Sequence, residues 1–339
     1  MEILVTGGSG YIGSHTVLQL LKEGYKVTVL DNLSNSSFEP LDRIQKLLNK
    51  QINYTKCDIR SLKDLELFFS KNNFETVIHF AALKAVGDSI LSPLNYYENN
   101  VYGTINLLKT MQKFDVQNFI FSSSATVYGH EAKVPYIETH ALGSSSSPYG
   151  ATKVMIERIL QDISASNLKF RAVSLRYFNP IGAHESGLIG EDPSGIPNNL
   201  LPFITQVAVG KREKLQIFGN DYDTRDGTCL RDYLHVMDLA KGHTDALKWL
   251  SRNNSFRGVE AFNLGTGSPI SVLEIIDAFE QTANIKISYE FVTRRIGDLD
   301  AFWADASKAK SVLGWEAKLN LEKMMIDSWN WQVNNPNGY

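Results

Sequence analysis

MEILVTGGSGYIGSHTVLQLLKEGYKVTVLD, residues 1–31, is the stretch that decides the fold. Ile3 to Val5 is a short apolar run and reads as a buried strand. It breaks into Gly7-Gly8-Ser9-Gly10-Tyr11-Ile12-Gly13, after which Val17, Leu18, Leu20 and Leu21 recur at helical spacing. Gly24 stops the helix, and a second apolar run, Val27 to Leu30, ends on Asp31. Strand, glycine turn, helix, strand and acid make a dinucleotide-binding unit. Gly7, Gly10 and Gly13 let the backbone turn tightly and approach a pyrophosphate closely. The helix start beyond them offers that anion free N–H groups and the positive end of a dipole. Asp31, at the tip of the second strand, can accept from both ribose hydroxyls. The same carboxylate repels a 2′-phosphate, and Asn32, Leu33 and Ser34 supply no cation to offset it. NAD is therefore expected rather than NADP.

The 339 residues suffice for one large domain or two ordinary ones. An apolar content of 43% is normal for a soluble globular enzyme. With 34 basic against 37 acidic residues and no basic run, nothing marks the chain for nucleic acid. Cys57 and Cys229 are too few for a disulfide framework and are expected as free thiols in a reducing compartment. A strand from residue 3 leaves no secretory leader to be expected. No apolar run approaches the roughly 18 residues of a membrane span. A soluble, cytoplasmic protein is the expectation.

Strands and helices alternate through the first half. Helices are expected near Leu41 to Leu48, Leu62 to Ser70, Leu94 to Lys113 and Tyr149 to Ala165. Strands are expected at Ile52 to Asp58, Thr76 to Ala82, Asn118 to Ser124 and Phe170 to Phe178. The turn-rich stretch 130–147 reads as a loop. This alternation predicts an α/β fold, a Rossmann-type doubly wound parallel sheet with helices on both faces. Beyond Asn179-Pro180 the chain changes character. Gly182 to Asn199 reads mostly as loop, and loops that long are usually functional. Helices follow at Leu200 to Val209, Met237 to Leu250, Ser271 to Thr282, Ala306 to Leu313 and Leu321 to Val333, with strands at Leu215 to Phe218, Tyr233 to Val236, Ala261 to Leu264 and Ile285 to Val292. The charged stretch 294–300 reads as a loop. Tyr233 to Val236 and Ala261 to Leu264 are expected to return to the main sheet. The division expected is a nucleotide-binding domain over 1–180 plus about 233–266, and a smaller C-terminal α/β substrate domain over 181–232 and 267–339.

Tyr149-Gly150-Ala151-Thr152-Lys153 is the second strong signal. On a helix, positions i and i+4 share a face, which sets a phenol beside an ammonium. Free tyrosine titrates near ~10, too high for a base at neutral pH. A neighbouring Lys⁺ is expected to lower it, and a cationic nicotinamide ring would add to that effect. Tyr-x-x-x-Lys alone is common on exposed helices; behind a nucleotide-binding half and a serine-ended strand it points to catalysis. Ser122-Ser123-Ser124 ends that strand, where the ligand crevice of a parallel sheet forms. One serine is expected only to cap the next turn, and Ser124, the last, is expected to serve the chemistry.

Gly7-x-x-Gly10-x-x-Gly13 with Asp31, Ser124 and Tyr149-x-x-x-Lys153 resembles the extended short-chain dehydrogenase/reductase family. The resemblance tightens to members acting at C4 of UDP-hexoses, through TGGSGYIGSHT, LDNLSNS, VIHFAALKAVG, FIFSSSATVYG, SPYGATK, LRYFNPIGAH, GIPNNLLPFI, IFGNDY, RDYLHVMDLA, NLGTG and WADASKA, nearly the whole chain. It implies reversible C4 epimerisation of UDP-glucose and UDP-galactose through a 4-keto sugar, with a hydride passed to bound NAD and back. It implies that Tyr11, Ile12, Asp31, Asn32, Leu33, Ser34, Asn35 and Ser36 line the adenosine half of NAD, with Asp58 and Ile59 flanking the adenine. Phe80, Ala81, Ala82, Leu83, Lys84 and Asn99 would complete the bed, and Ser124, Tyr149, Lys153 and Phe178 would surround the nicotinamide and the sugar. Asn179, Asn198, Asn199, Leu200, Gln216, Phe218, Arg231, Tyr233, Arg295 and Asp298 would hold the UDP moiety. Arg231 and Arg295 suit a pyrophosphate, and Asp298 can accept from ribose hydroxyls.

One position departs from the pattern. Where the family often has Tyr or a small residue such as Cys, this chain has Phe302, which is expected to crowd out N-acetylated sugars. The seven histidines form no metal-ligand pattern, and no metal is expected. The resemblance also implies a homodimer, paired through the helices Leu94 to Lys113 and Tyr149 to Ala165. Two rival readings remain. A nucleotide-sugar dehydratase or decarboxylase would need further acid–base groups, but Ser124 is followed by Ala125 and Thr126. A non-catalytic NAD-binding scaffold could dispense with Ser124, Tyr149 and Lys153, all retained here.

Overall fold

The computed structural model describes residues 2–129, 132–143, 145, 147–295 and 298–339; the expected loops at 130–147 and 294–300 extend in part over residues outside these. The opening stretch folds as β1 (Glu2–Thr6), α1 (Tyr11–Lys22) and β2 (Lys26–Asp31). α2 (Glu39–Leu48), β3 (Asn53–Lys56), α3 (Leu62–Phe69) and β4 (Thr76–His79) continue the alternation. α4 (Val86–Leu91), α5 (Pro93–Tyr96) and α6 (Gly103–Lys113) follow, the last two joined by a π-helical turn, Tyr97–Tyr102. The single helix expected from Leu94 to Lys113 is thus one rod with a widened turn. β5 (Asn118–Ser124), α7 (Pro148–Ser166) and β6 (Arg171–Tyr177) complete this part.

The chain continues through β7 (Asn179–Ile181), α8 (Leu200–Ala208), β8 (Leu215–Phe218), β9 (Leu230–Arg231) and β10 (Tyr233–His235). α9 (Val236–Arg252) and β11 (Gly258–Leu264) come next. The last elements are β12 (Ile270–Ser271), α10 (Val272–Ala283), β13 (Tyr289–Val292), β14 (Ala301–Phe302), a π-helical turn Ala309–Leu313, and α11 (Leu321–Asn334).

The main sheet has seven strands in the order β11-β6-β5-β4-β1-β2-β3. The pairings from β6 across to β3 are parallel. The order reverses between β1 and β4, and such a switch point opens a ligand crevice at the carboxyl ends of the strands. β1 and β4 are buried almost throughout, as central parallel strands covered on both faces must be. Phe68, Phe69, Phe74, Leu107, Met111, Phe119 and Leu160 pack one face of this core. A second core gathers Leu201, Ile204, Ile217, Ile275, Phe279 and Met325.

Two compact units result. The first comprises Met1–Ala132, Glu138–Tyr177 and Ala240–Phe262; the second comprises Lys133–Ile137, Phe178–Leu239 and Asn263–Tyr339. Two segments fall elsewhere than the sequence suggests. β11 joins the main sheet as expected, but β10 pairs in parallel with β7, Tyr233 opposite Asn179, in a sheet of its own. A buried strand of three residues carries no mark of which sheet it joins. Lys133–Ile137 belongs to the second unit because Tyr136 bonds to Trp303 and Asp305 through the backbone. No helix of the described residues is long and apolar enough to cross a membrane.

Candidate active site

In the first unit, the glycine turn folds too tightly against its own backbone to admit side chains. Gly7 has φ +69°, and a Cβ on it would stand 2.6 Å from the Ala81 nitrogen; one on Gly13 would stand 2.2 Å from the Gly7 oxygen. Gly10 precedes α1 without a side-chain cap, and the positive end of the helix dipole lies at this turn. The Ser9 hydroxyl, in the same turn, is buried with no hydrogen-bond partner in the structure. These features fit a pyrophosphate. Asp31, buried, accepts from the Ser9 amide at 3.1 Å, the Leu33 amide at 2.9 Å and the Ser36 hydroxyl at 2.9 Å. Its position is thereby fixed at the strand tip, and Leu33 is turned to φ 58° to make the bend.

Asn32 donates to Asp58 at 3.1 Å, and Ser34 bonds back to Asn32, while Asn35 is exposed. Arg60 clasps Asp58 and holds its carboxyl down at about 2. Ile59 is buried in the core against Gly103 rather than open to a ligand. Tyr11 and Ile12 occupy the first turn of α1, and the exposed Lys84 lies 6.0 Å from the Tyr11 ring centroid. Phe80, Ala81, Ala82 and Leu83 form the half-buried run after β4. Their anchor is Asn100, which the sequence reading passed over for Asn99. Asn100, fully buried in the π-helical turn, accepts from Leu83 N–H at 2.8 Å and donates to Leu83 C=O at 2.9 Å. Asn99 only donates to Asn100 at 3.0 Å.

Ser124, Tyr149 and Lys153 come together at the carboxyl end of β5. The Lys153 ammonium is 5.7 Å from the Tyr149 ring centroid and donates to the Ser122 carbonyl at 2.6 Å. Ser124 accepts from the Thr126 amide at 3.3 Å and the Thr126 hydroxyl at 3.0 Å. With Ser124 already accepting twice, its own proton is free to point at the Tyr149 oxygen, to which it is hydrogen-bonded. The serine expected merely to cap the following turn and the serine expected to serve the chemistry are the same residue, Ser124.

The expected charge balance of this group is corrected by the structure. Burial pushes Tyr149 up to about 12, and the Ser124 hydrogen bond only partly opposes it. Burial pushes Lys153 down to about 7, against the pull of Glu157. Desolvation is the largest cause at both groups, where the spacing suggested that Lys153 would lower Tyr149.

The candidate UDP residues lie in the second unit. Arg231 donates to the Leu230 and Leu299 carbonyls at 2.9 and 2.8 Å and reaches Asp298 at 3.4 Å. Arg295 stacks 3.9 Å above the Phe218 ring centroid, and Gln216 shares that face of β8, two residues back. Tyr233 is buried, which raises its hydroxyl beyond the ordinary range. Asn199 donates to Glu191 at 2.6 Å just before Leu200 opens α8, with Asn198 exposed beside it. Asn179 bonds to the Asp232 carbonyl at 3.0 Å at the start of β7. Phe302 packs against Phe178. Sequence reasoning missed Tyr222, buried with no partner for its hydroxyl and pushed up to about 12 by burial. Among the described residues no cluster of histidine, cysteine and carboxylates could hold a metal ion.

Fold and site together define a short-chain dehydrogenase of the extended type. The sequence profile of the family described as GDP-mannose 4,6 dehydratase matches residues 4–327. UDP-glucose 4-epimerase of Erwinia amylovora is 54% identical over 100% of this chain and 99% of its own. The UDP-glucose 4-epimerase of Bifidobacterium longum in complex with NAD+ and UDP superposes with a TM-score of 0.96, at 48% identity over all of both chains. That of Stenotrophomonas maltophila, with bound NAD and formylated UDP-arabinopyranose, gives 0.95 at 43% identity over 99% of each. The chain belongs to the UDP-glucose 4-epimerase family.

Proposed function

We propose that this enzyme interconverts UDP-glucose and UDP-galactose by epimerisation at C4, with NAD resident in the first unit. The observation that carries this reading is the grouping of Ser124, Tyr149 and Lys153 at the end of β5 in a chain 54% identical to a known epimerase. Bound NAD would supply a two-electron acceptor that is restored each cycle, so none is consumed. The glycine turn, Asp31 and the Asn100-anchored run after β4 support its retention.

The side chains handle protons. Tyr149, as phenolate, takes the C4 hydroxyl proton, with Ser124 as relay, and gives it back once the 4-keto sugar has turned over. Lys153 would steady the phenolate and hold the nicotinamide ribose of bound NAD. The cationic nicotinamide ring of bound NAD would add to the effect of Lys153 on Tyr149. Arg231 and Arg295 are suited by charge to the diphosphate of UDP, and Asp298 to accept from its ribose hydroxyls. The dehydratase alternative is disfavoured because Ala125 and Thr126, not acids, follow Ser124.

A coupled assay converting UDP-galactose to UDP-glucose tests the reading. Tyr149→Phe should lower kcat by about 10²–10⁴-fold, with UDP affinity by calorimetry unchanged. Near-normal turnover would remove Tyr149 as the base. The chain is further read as a cytoplasmic homodimer serving galactose use or the supply of UDP-galactose. Its free cysteines support the compartment. Leu94 and Met155, exposed by 79% and 44%, support pairing through the long helices.

A further inference from the structure

Behind Ser124, Tyr149 and Lys153 lies a buried ion pair that the proposed chemistry does not use. Glu157 follows Lys153 by one turn of α7, Arg176 lies in β6, and the two are 2% and 4% exposed. Arg176 grips Glu157 through Nε at 3.0 Å and Nη2 at 2.6 Å, a bidentate clasp. Ser123, the neighbour of Ser124, donates to Glu157 at 2.6 Å. The remaining Arg176 nitrogen donates to the Tyr128 hydroxyl at 3.1 Å and the Glu138 carbonyl at 3.3 Å. A pair this deep is often no more stabilising than apolar residues of the same volume. Its presence here calls for another reason.

That reason lies one turn back along the helix. Lys153 meets Tyr149 on α7 and the Phe121 ring and the Ser122 carbonyl on β5, and its charge acts on neutral His79 on β4; Tyr177 on β6 bonds to the Ser122 hydroxyl. Glu157 is the carboxylate whose charge acts on it. The geometry points to Glu157 as a positioning residue for the proton on Lys153. Clasped by Arg176 and Ser123, its carboxylate opposes the burial that drives the proton off Lys153, and the Arg176 guanidinium limits how much of that negative charge Lys153 feels. The inference rests on the reading of Lys153 as the charged partner of Tyr149.

Two measurements test it on the full-length protein. The ¹³Cε resonance of Lys153, identified by its loss in Lys153→Arg, reports the titration of that amine directly. The alkaline limb of kcat against pH reports it in the working enzyme. Glu157→Gln removes the anion and leaves Arg176, so both should move down by about one pH unit or more. Arg176→Gln leaves the anion uncompensated, so both should move up. Ser123→Ala keeps both charges, so both should stay. Glu157→Asp keeps the charge but withdraws it by one methylene, and should move both part of the way down.

A purely structural role would lower the melting temperature of the variants without shifts of opposite sign. Titrations that stay put, or move the same way, in the Glu157→Gln and Arg176→Gln variants overturn the proposal. So does an unmoved Glu157→Asp, or a Ser123→Ala shift as large as that of Glu157→Gln. An alkaline limb that survives unchanged in Lys153→Met would instead remove Lys153 from the chemistry, leaving the NMR titration to judge Glu157.

Discussion

Phe302 is held on two sides by rings, Tyr136 edge-on at 5.0 Å between centroids and Phe178 at 5.1 Å. The family resemblance implies that this ring borders the sugar, where its bulk would exclude a large substituent. The enzyme is expected to turn over UDP-N-acetylglucosamine poorly. Phe302→Cys should raise kcat/KM for that sugar by about 10-fold or more relative to UDP-glucose, from the volume released. Comparable kcat/KM for the two sugars before substitution would refute the idea. At this scale the sequence spoke clearly where spacing and chemistry coincide. Tyr149 and Lys153 declare themselves by sharing a helix face, and Asp31 by closing a strand. Glu157 and Arg176 stayed hidden, because an acid on an amphipathic helix and an arginine in a strand look like solvent-facing charges until the fold buries them together. Ser9 was hidden for a related reason, since among glycines it reads as one more turn residue.

Three elements meet at His79. Thr6 on β1 bonds to its Nδ1 at 2.7 Å, and its Nε2 lies 2.9 Å from the Thr104 hydroxyl on α6. That hydroxyl donates to the Asn100 carbonyl, so it accepts from Nε2–H, and Nδ1 is left to accept from Thr6. The ring is neutral, and burial holds its pKa down at about 3, below the usual 6.5. On acidification the unfolded chain takes up this proton first. Stability is therefore lost as pH falls from about 6.5 towards 3. His79→Gln should reduce the slope of unfolding free energy against pH in that window by up to one proton, as measured by denaturant titrations. An unchanged slope would show that other groups carry the acid sensitivity. Elements themselves were legible in proportion to their apolar pattern. β1, β5 and α7 stand where the runs of Val, Ile, Leu and Phe or the Pro148 start place them. The π-helical turn was not legible, because Tyr97 to Tyr102 is polar and nothing in it distinguishes a wide turn from an ordinary one. The partner of β10 was not legible either, since register between distant segments is settled by packing rather than composition.

At the scale of the whole molecule, Leu91 at the end of α4 and Leu94 at the start of the following rod are exposed by 84% and 79%. Between α6 and α7 a cleft of about 180 Å³, lined by Leu108, Met111, Ile159, Ile163 and Phe170 among others, adds apolar surface. Exposure of this kind is what a protein–protein contact removes. Sedimentation should find a dimer, and Leu94→Glu combined with Met155→Glu should shift it to monomer while the melting transition stays cooperative. A parent protein that sediments as a monomer at micromolar concentration would overturn the assembly. The order in which the chain visits its two units has a consequence for synthesis. Residues of the first unit are supplied as late as Phe262, after a long excursion through the second. While a ribosome is still making that excursion, β6 stands at the margin of the sheet without β11 beside it. The nascent chain thus carries an open strand edge, the kind of surface that recruits other chains, for the time taken to translate residues 178–257. Slow codons or stalls in that interval, rather than in the glycine turn or the catalytic helix, are where yield in an expression host should be most easily lost.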